Sequence, residues 1–402
     1  MRTIKHLTII VTAALGAFVV ALPSRAADWE LNPKLEGGYL IDDNYRLSQP
    51  GTEVDVAGPM VDAELELRAL MPTSEFSFTP RVRGTYFPGE SDIDAIDYYA
   101  TLDWNHTGER VRSSVRGEFS QQDVISSELP DAEVDSGLGE TPIGDAGRVL
   151  VDNRRLRAFV RPAFDFDISE RRQMRIEASF ADVSFDEEIS EAQVGYRSAE
   201  LAAGLTTLLS ELTSLTARVK AAQYDIDTRD TTNSYGAEVQ WDTRKASGTR
   251  SFLRAGAQNV ELAAGGSDIA WLAGAGVSFI RGRNEIFTDL SRSVGPSSAG
   301  SVISRDQLRL RWTYAMTPRL NLLAGLRGLH DDAVDSDALF AERNYATGDV
   351  GVQWRWQEEL SLRFAYNYTW QEFRGAVDDA TSSGAMVSVI YQPTQRRPSR
   401  NN

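Results

Sequence analysis

Leu360-Ser361-Leu362-Arg363-Phe364-Ala365-Tyr366-Asn367-Tyr368-Thr369-Trp370 carries an apolar or aromatic residue at every even position and Ser, Arg, Ala, Asn or Thr at every odd one. A period of two over eleven residues is the mark of a β-strand with one greasy and one wettable face. The same split sets Val350, Val352, Trp354 and Trp356 against Asp349, Gly351, Gln353 and Arg355, and Leu308, Leu310, Trp312 and Tyr314 against Arg309, Arg311 and Thr313. It recurs upstream, where Ile96, Tyr98, Ala100, Leu102 and Trp104 oppose Asp97, Tyr99, Thr101 and Asp103. Strands of a soluble sandwich run about 5–6 residues. These run about 10–14, enough for a tilted strand to cross a bilayer.

The links between segments alternate in kind. Pro72-Thr73-Ser74, Thr107-Gly108-Glu109, Glu211-Leu212-Thr213, Ala246-Ser247-Gly248, Thr317-Pro318-Arg319 and Glu358-Glu359 are tight, while polar stretches over 42–55, 122–149, 330–341 and 374–381 are long. Short turns at one end and long loops at the other predict an all-β, transmembrane, antiparallel up-and-down β-barrel of the outer-membrane kind. The segments fall near 29–41, 57–70, 75–87, 95–106, 110–122, 151–168, 173–186, 193–209, 214–226, 232–244, 250–263, 268–281, 284–294, 302–316, 319–330, 342–357, 360–372 and 381–391, about 18 strands. Alternation drifts in 173–186, 193–209 and 284–294, which leaves 16 as the alternative count. Trp29, Phe76, Trp104, Phe164, Trp241, Trp370 and Tyr391 sit near segment ends on the apolar face, as the aromatic belts of a membrane wall require.

The chain divides simply. Arg2, Lys5 and His6 precede an apolar run from Leu7 to Leu22, and Ser24-Arg25-Ala26 offers a small-residue cleavage site, so residues 1–26 are expected to be a signal peptide. Residues 27–391 form the barrel, with 122–149 as a long extracellular loop expected to fold as a lid or plug. Residues 392–402 form a polar periplasmic tail carrying Arg396, Arg397 and Arg400. With 42 basic against 58 acidic residues, a net charge of −16, the composition disfavours nucleic acid as a partner. The absence of cysteine removes disulfides, thiolate metal sites and a cysteine nucleophile.

If the apolar face meets lipid, the polar face lines the lumen. That face is assigned Arg81, Arg83, Arg112, Arg116, Arg155, Arg157, Arg161, Arg175, Arg218, Arg254, Arg309, Arg311, Arg327, Arg355 and Arg363. An arginine at the lipid midplane costs about 2–4 kcal/mol, which forces the inward assignment. Glu64, Glu66, Asp97, Asp103, Glu118, Asp165, Glu177, Glu238, Asp242 and Asp349 share the face, so the wall can be laced by ion pairs, can guide an anionic or hydroxyl-rich solute, and can do both at once. Tyr99, Phe159 and Tyr224 fall inward as well. His330, beside Asp331 and Asp332 at the rim, is the one residue an enzyme could be built around, and no second acidic pair accompanies it. No catalytic residue, metal site or cofactor is expected.

The opening Leu35-Glu36-Gly37-Gly38-Tyr39-Leu40-Ile41-Asp42-Asp43-Asn44-Tyr45-Arg46-Leu47, leading into long alternating strands, resembles the start of the outer-membrane β-barrel porins encoded beside exopolysaccharide or exosortase gene clusters. The last strand, Ser382 to Tyr391, resembles the signal read by the barrel-assembly machinery. The resemblance implies an arginine-rich conduit for a secreted polysaccharide, similar to the alginate-export porin. It also implies outer-membrane lipid and lipopolysaccharide as surroundings and a periplasmic polysaccharide-export protein as partner. A nutrient-uptake diffusion porin and a structural or adhesive barrel are the alternatives.

Overall fold

A computed structural model of the chain describes residues 27–89, 93–124, 153–186, 193–227, 230–261, 265–334, 342–374 and 379–393. The segment read as a signal peptide, most of the 122–149 loop and most of the 392–402 tail lie outside the described residues. Eighteen strands follow one another: β1 (Asp28–Asp42), β2 (Val56–Leu70), β3 (Ser74–Thr85), β4 (Ala95–Thr107), β5 (Val111–Asp123), β6 (Arg154–Ser169), β7 (Arg172–Phe185), β8 (Tyr196–Ser210), β9 (Thr213–Ile226), β10 (Thr232–Arg244), β11 (Arg250–Glu261), β12 (Ser267–Arg281), β13 (Asn284–Ser297), β14 (Ser301–Thr317), β15 (Leu320–Ala333), β16 (Arg343–Arg355), β17 (Leu360–Phe373) and β18 (Ala380–Tyr391). Each expected segment corresponds to one strand, which settles the count at 18 rather than 16.

Every strand pairs antiparallel with its sequence neighbours, and β1 pairs with both β2 and β18, so the sheet closes on itself. Closure satisfies the backbone groups that an open edge would leave bare in hydrocarbon. Side chains stitch the closing seam: the Ser388 hydroxyl donates to Glu36, the Ser382 hydroxyl to Asp42, and the Ser383 amide to Asp43. Links of two to five residues join strands at the end that also holds Asp28 and Tyr391, here the inner end; links of three to thirty residues lie at the outer end. Trp29, Leu31, Leu35, Tyr39, Leu253, Phe364, Tyr366 and Tyr368 stand exposed on the outer wall, where lipid would cover them.

The lumen departs from the expected pattern. Eighteen strands about 4.8 Å apart, tilted about 40°, enclose a backbone cylinder about 35 Å across, too wide for facing side chains to fill. Among the described residues, two segments nevertheless fold inward at the outer end. The first joins β1 to β2. Asn44, almost fully buried, holds it down: its side-chain amide donates to the Ser48 and Thr381 carbonyls at 2.8 Å each, and its oxygen accepts from the Ser48 amide. Leu47, at φ 50, is thereby placed against Leu329, Tyr345 and Ala380 on the lumenal face of β15, β16 and β18. Tyr45 packs edge-on against Phe87 of the β3–β4 link.

The second inward segment is the β13–β14 hairpin. The β12–β13 ladder stops at the Ala273–Arg292 pair, whereas β13 stays paired with β14 to the Ser297–Ser301 pair and β14 with β15 to the Ile303–Ala333 pair, so the hairpin parts from β12 while its other side stays on the wall. Pro296 cannot donate to a ladder and favours this release. The tip, Ser298-Ala299-Gly300, turns with Gly300 at φ 78, and Ser298 is 0% exposed although it ends a hairpin on the open side of a barrel. The Ser298 carbonyl accepts the Val194 amide at 2.8 Å, five strands away around the wall. Val294 and Val302 complete an apolar cluster with Val183, Phe185, Val194, Tyr196, Tyr224, Ile226, Val260 and Leu272.

The expectation of a polar interior throughout is therefore corrected: at the outer end of the lumen, from β7 to β14, an apolar cluster is buried beside Ser234, Gln258 and Arg305. The drift in 173–186 arises here: at the outer end of β7 the inward positions are Ala181, Val183 and Phe185 and the outward ones Asp182 and Ser184, the reverse of the pattern lower in the strand.

Close packing also fixes Gly58. A Cβ on Gly58 would overlap the Tyr86 carbonyl oxygen and press on the Phe87 ring, whereas one on Gly84, on the outer wall, would meet nothing within 4 Å. Gly58→Val is expected to abolish the folded band that migrates faster in unheated samples on denaturing gels, and Gly84→Val to keep it. Retention of that band by Gly58→Val would show that the β3–β4 link does not have to lie on this strand.

Candidate functional site: a charged chamber beneath the inward hairpin

Every arginine assigned to the lumen lies on the parity of its strand opposite the exposed apolar residues. Most are held by carboxylates. Arg81 meets Asp62 with two of its nitrogens at 2.6–3.0 Å, and Arg83 donates to the same carboxylate at 2.9 Å. Glu118 accepts from Arg116 and Arg157 at 2.8 and 2.9 Å. Arg309 lies 3.1 Å from Asp289 and stands directly across from Arg327 in the β14–β15 register. Arg155 is buried at the outer end. Arg112, paired with Asp167, and Arg355 lie at the inner mouth, and Arg363 faces Gln353 across the β16–β17 pair.

The inward aromatics are not open stacking platforms. Arg81 covers Tyr99, Arg157 and Arg161 flank Phe159, and Arg309 and Arg311 flank Phe287, at 5.2–5.9 Å from the ring centres. Tyr224, the third aromatic assigned inward, is buried in the apolar cluster, where its hydroxyl accepts from Gln258 at 3.2 Å.

The densest charge spans β6 to β11 as a ladder. Arg175 bonds Glu177 at 2.9 Å and Asp165 at 3.3 Å; Arg218 bonds Glu177 at 2.8 Å and Glu200 at 3.4 Å and lies 3.6 Å from Glu238. Arg254 continues it at 3.9 Å from Glu238, and the Lys220 ammonium sits 4.0 Å from Glu200. Small residues make this possible. The Gly274 position leaves the Arg254 guanidinium 3.2 Å from where a Cβ would stand, and Gly236 does the same for the Lys220 stem at 3.3 Å. Long side chains thus lie flat on the wall, which keeps the space in front of them open.

That space is a chamber of about 340 Å³. Arg161, Glu177, Glu200, Arg218, Lys220, Glu238 and Arg254 line its wall, and Val294, Gly295, Pro296 and Ile303 of the inward hairpin bound it. Its charge is mixed with a cationic excess.

Sequence reasoning missed Lys220, Glu200 and the most buried pair of the interior, Arg305 with Asp331, joined through two hydrogen bonds. The parity that placed Arg309 and Arg311 inward also places Arg305. It missed Arg343 too, which donates to Gln371 at 3.0 Å over the Tyr345 ring. His330 points outward, bonded to Asn344 at 2.8 Å, while Asp331 points inward to Arg305, so adjacent residues of one strand face opposite sides of the wall and do not meet. His106 is bonded to Ser74 at 2.8 Å and stacked on Trp104. Among the described residues no group of three or more His, Asp or Glu side chains could hold a metal ion.

A closed antiparallel barrel with an apolar outer wall and an ionic lumen defines an outer-membrane β-barrel of porin-like architecture. No protein-family model matches the chain, and no curated protein sequence does. Among solved structures it is similar to Pseudomonas aeruginosa OpdO, at 12% identity and TM-score 0.48, covering 91% of this chain and 97% of that one. It is also similar to the outer membrane protein opdK of the same organism, at 12% identity and TM-score 0.47, covering 90% and 99%. Acinetobacter baumannii OccAB4 gives 11% identity and TM-score 0.46, covering 92% and 100%. At these values the likeness transfers no substrate and no residue role.

Proposed function

We propose that the chain is a passive outer-membrane channel for small, hydrophilic, charged solutes, whose path runs through the chamber beneath the β13–β14 hairpin. The observation that carries this reading is the ion-paired ladder around Arg218, flat on the wall and facing a space the size of a small solute. A wall that presents both signs at fixed positions filters by charge and size without performing chemistry. Fixed, paired side chains lose no further rotamer freedom when a solute passes.

The folded chain reconstituted into liposomes is expected to admit small charged solutes such as amino acids and monosaccharide acids, and to exclude dextrans. Impermeability to all of them would overturn the proposal. The guanidinium-covered aromatics along the lumen favour a second reading, a conduit for a secreted polysaccharide, in which Arg81, Arg157, Arg161, Arg309 and Arg311 guide a hydrated polymer. That reading requires the two inward folds to move aside. It predicts periplasmic build-up of polymer when the gene is deleted, which the small-solute channel does not.

A further inference from the structure

The inner end of the barrel bears a charge arrangement that the channel reading does not use. Three adjacent turns, β10–β11, β12–β13 and β14–β15, carry Arg244, Lys245, Arg250, Arg281, Arg283 and Arg319, all exposed, and no acidic residue interrupts 244–250, 281–283 or 317–319. In a chain of net charge −16 this is a local feature and not a compositional one. None of the six forms an ion pair among the described residues, in contrast to the lumenal arginines. Arg244 and Arg250, paired across β10–β11, share the parity of Glu238 and Arg254 and face the lumen mouth, whereas Arg281 shares the outward parity of Trp271 and Lys245, Arg283 and Arg319 lie on the turns themselves. The Arg283 guanidinium donates to the Met316 carbonyl at 2.8 Å, which ties the second turn to the third.

The depth of these turns identifies the anion. Trp241 lies three residues before Arg244 on the outer wall, and Trp312 and Tyr314, stacked at 6.0 Å, lie just before the third turn. Aromatic rings of this kind mark the membrane interface, so the turns beyond them reach the headgroup layer of the inner leaflet. We propose that the three turns form a crescent that docks the anionic headgroups of inner-leaflet phospholipid, with phosphate oxygens accepting from the arginines. An arc that follows the circumference of the wall matches a ring of lipid better than it matches a compact acidic protein. Basic residues near an anionic membrane surface add their attractions one by one.

The test is native mass spectrometry of the folded full chain in micelles doped with equal amounts of phosphatidylglycerol and phosphatidylethanolamine. Wild type is expected to retain phosphatidylglycerol preferentially, and the triple variant Lys245→Glu, Arg283→Glu, Arg319→Glu to lose that preference. Thr73→Glu, which adds negative charge on the distant β2–β3 turn, is expected to keep it. The fast-migrating band of unheated samples shows that each variant is folded. Equal retention of the two lipids by wild type, or undiminished preference in a folded triple variant, overturns the proposal. Tighter binding of soluble polyglutamate than of phosphatidylglycerol also overturns it, by making the crescent a protein-docking surface.

Discussion

Val294→Asp combined with Val302→Asp is expected to raise single-channel conductance several-fold in planar bilayers while leaving the barrel folded. Both valines belong to the apolar cluster that seats the inward hairpin. Burying two carboxylates there without partners costs more than the seat returns, since an isolated charge in an apolar site is penalised by several kcal/mol. The hairpin can yield without breaking the wall, because above the Ala273–Arg292 pair it is attached only to itself and, through β14, to β15. The link it would surrender is the Val194–Ser298 backbone bond. An unchanged conductance in a folded double variant would show that the hairpin does not limit the path.

The second large effect concerns charge. Lys220→Glu with Arg254→Glu is expected to turn an anion-preferring channel into a cation-preferring one, read as a change in sign of the reversal potential across a salt gradient. The chamber wall presents Arg161, Arg218, Lys220 and Arg254 against Glu177, Glu200 and Glu238, so its excess is positive, and the two substitutions invert it. In a confined, low-dielectric passage a few fixed charges set the local ion concentration. The effect should fade at high ionic strength, where the screening length falls to about 3 Å. A reversal potential that does not move would place the conducting path away from the ladder and sink the chamber as the filter.

The interior explains why its arginines are tolerated. Arg305 and Asp331 are both almost fully buried. Removing one partner of such a pair commonly costs about 3–5 kcal/mol, because the remaining charge is stranded. The Asp62 and Glu118 clusters follow the same logic, each carboxylate collecting two guanidinium groups. The ion-pair-laced wall and the solute-guiding wall are compatible readings of the sequence. The pairs hold side chains flat against the glycines at 236 and 274 and leave the chamber open.

The strands, their number and the facing of each arginine were legible in the sequence, because each depends on neighbours two residues apart and on the length of the next turn. Leu360 to Trp370 states its own orientation, and Arg363 must then point inward. What occupies the outer lumen was not legible, because it depends on residues far apart in the chain. Val194 meets Ser298, and Leu47 meets Leu329, Tyr345 and Ala380, across distances that a period of two does not encode. The sequence carried only the symptom, an alternation that reverses at the outer end of β7, where Ala181, Val183 and Phe185 take the inward positions and Asp182 and Ser184 the outward ones. The tertiary structure supplied the cause: a wide barrel whose inward-folded hairpin gives those inward apolar residues something to bury against.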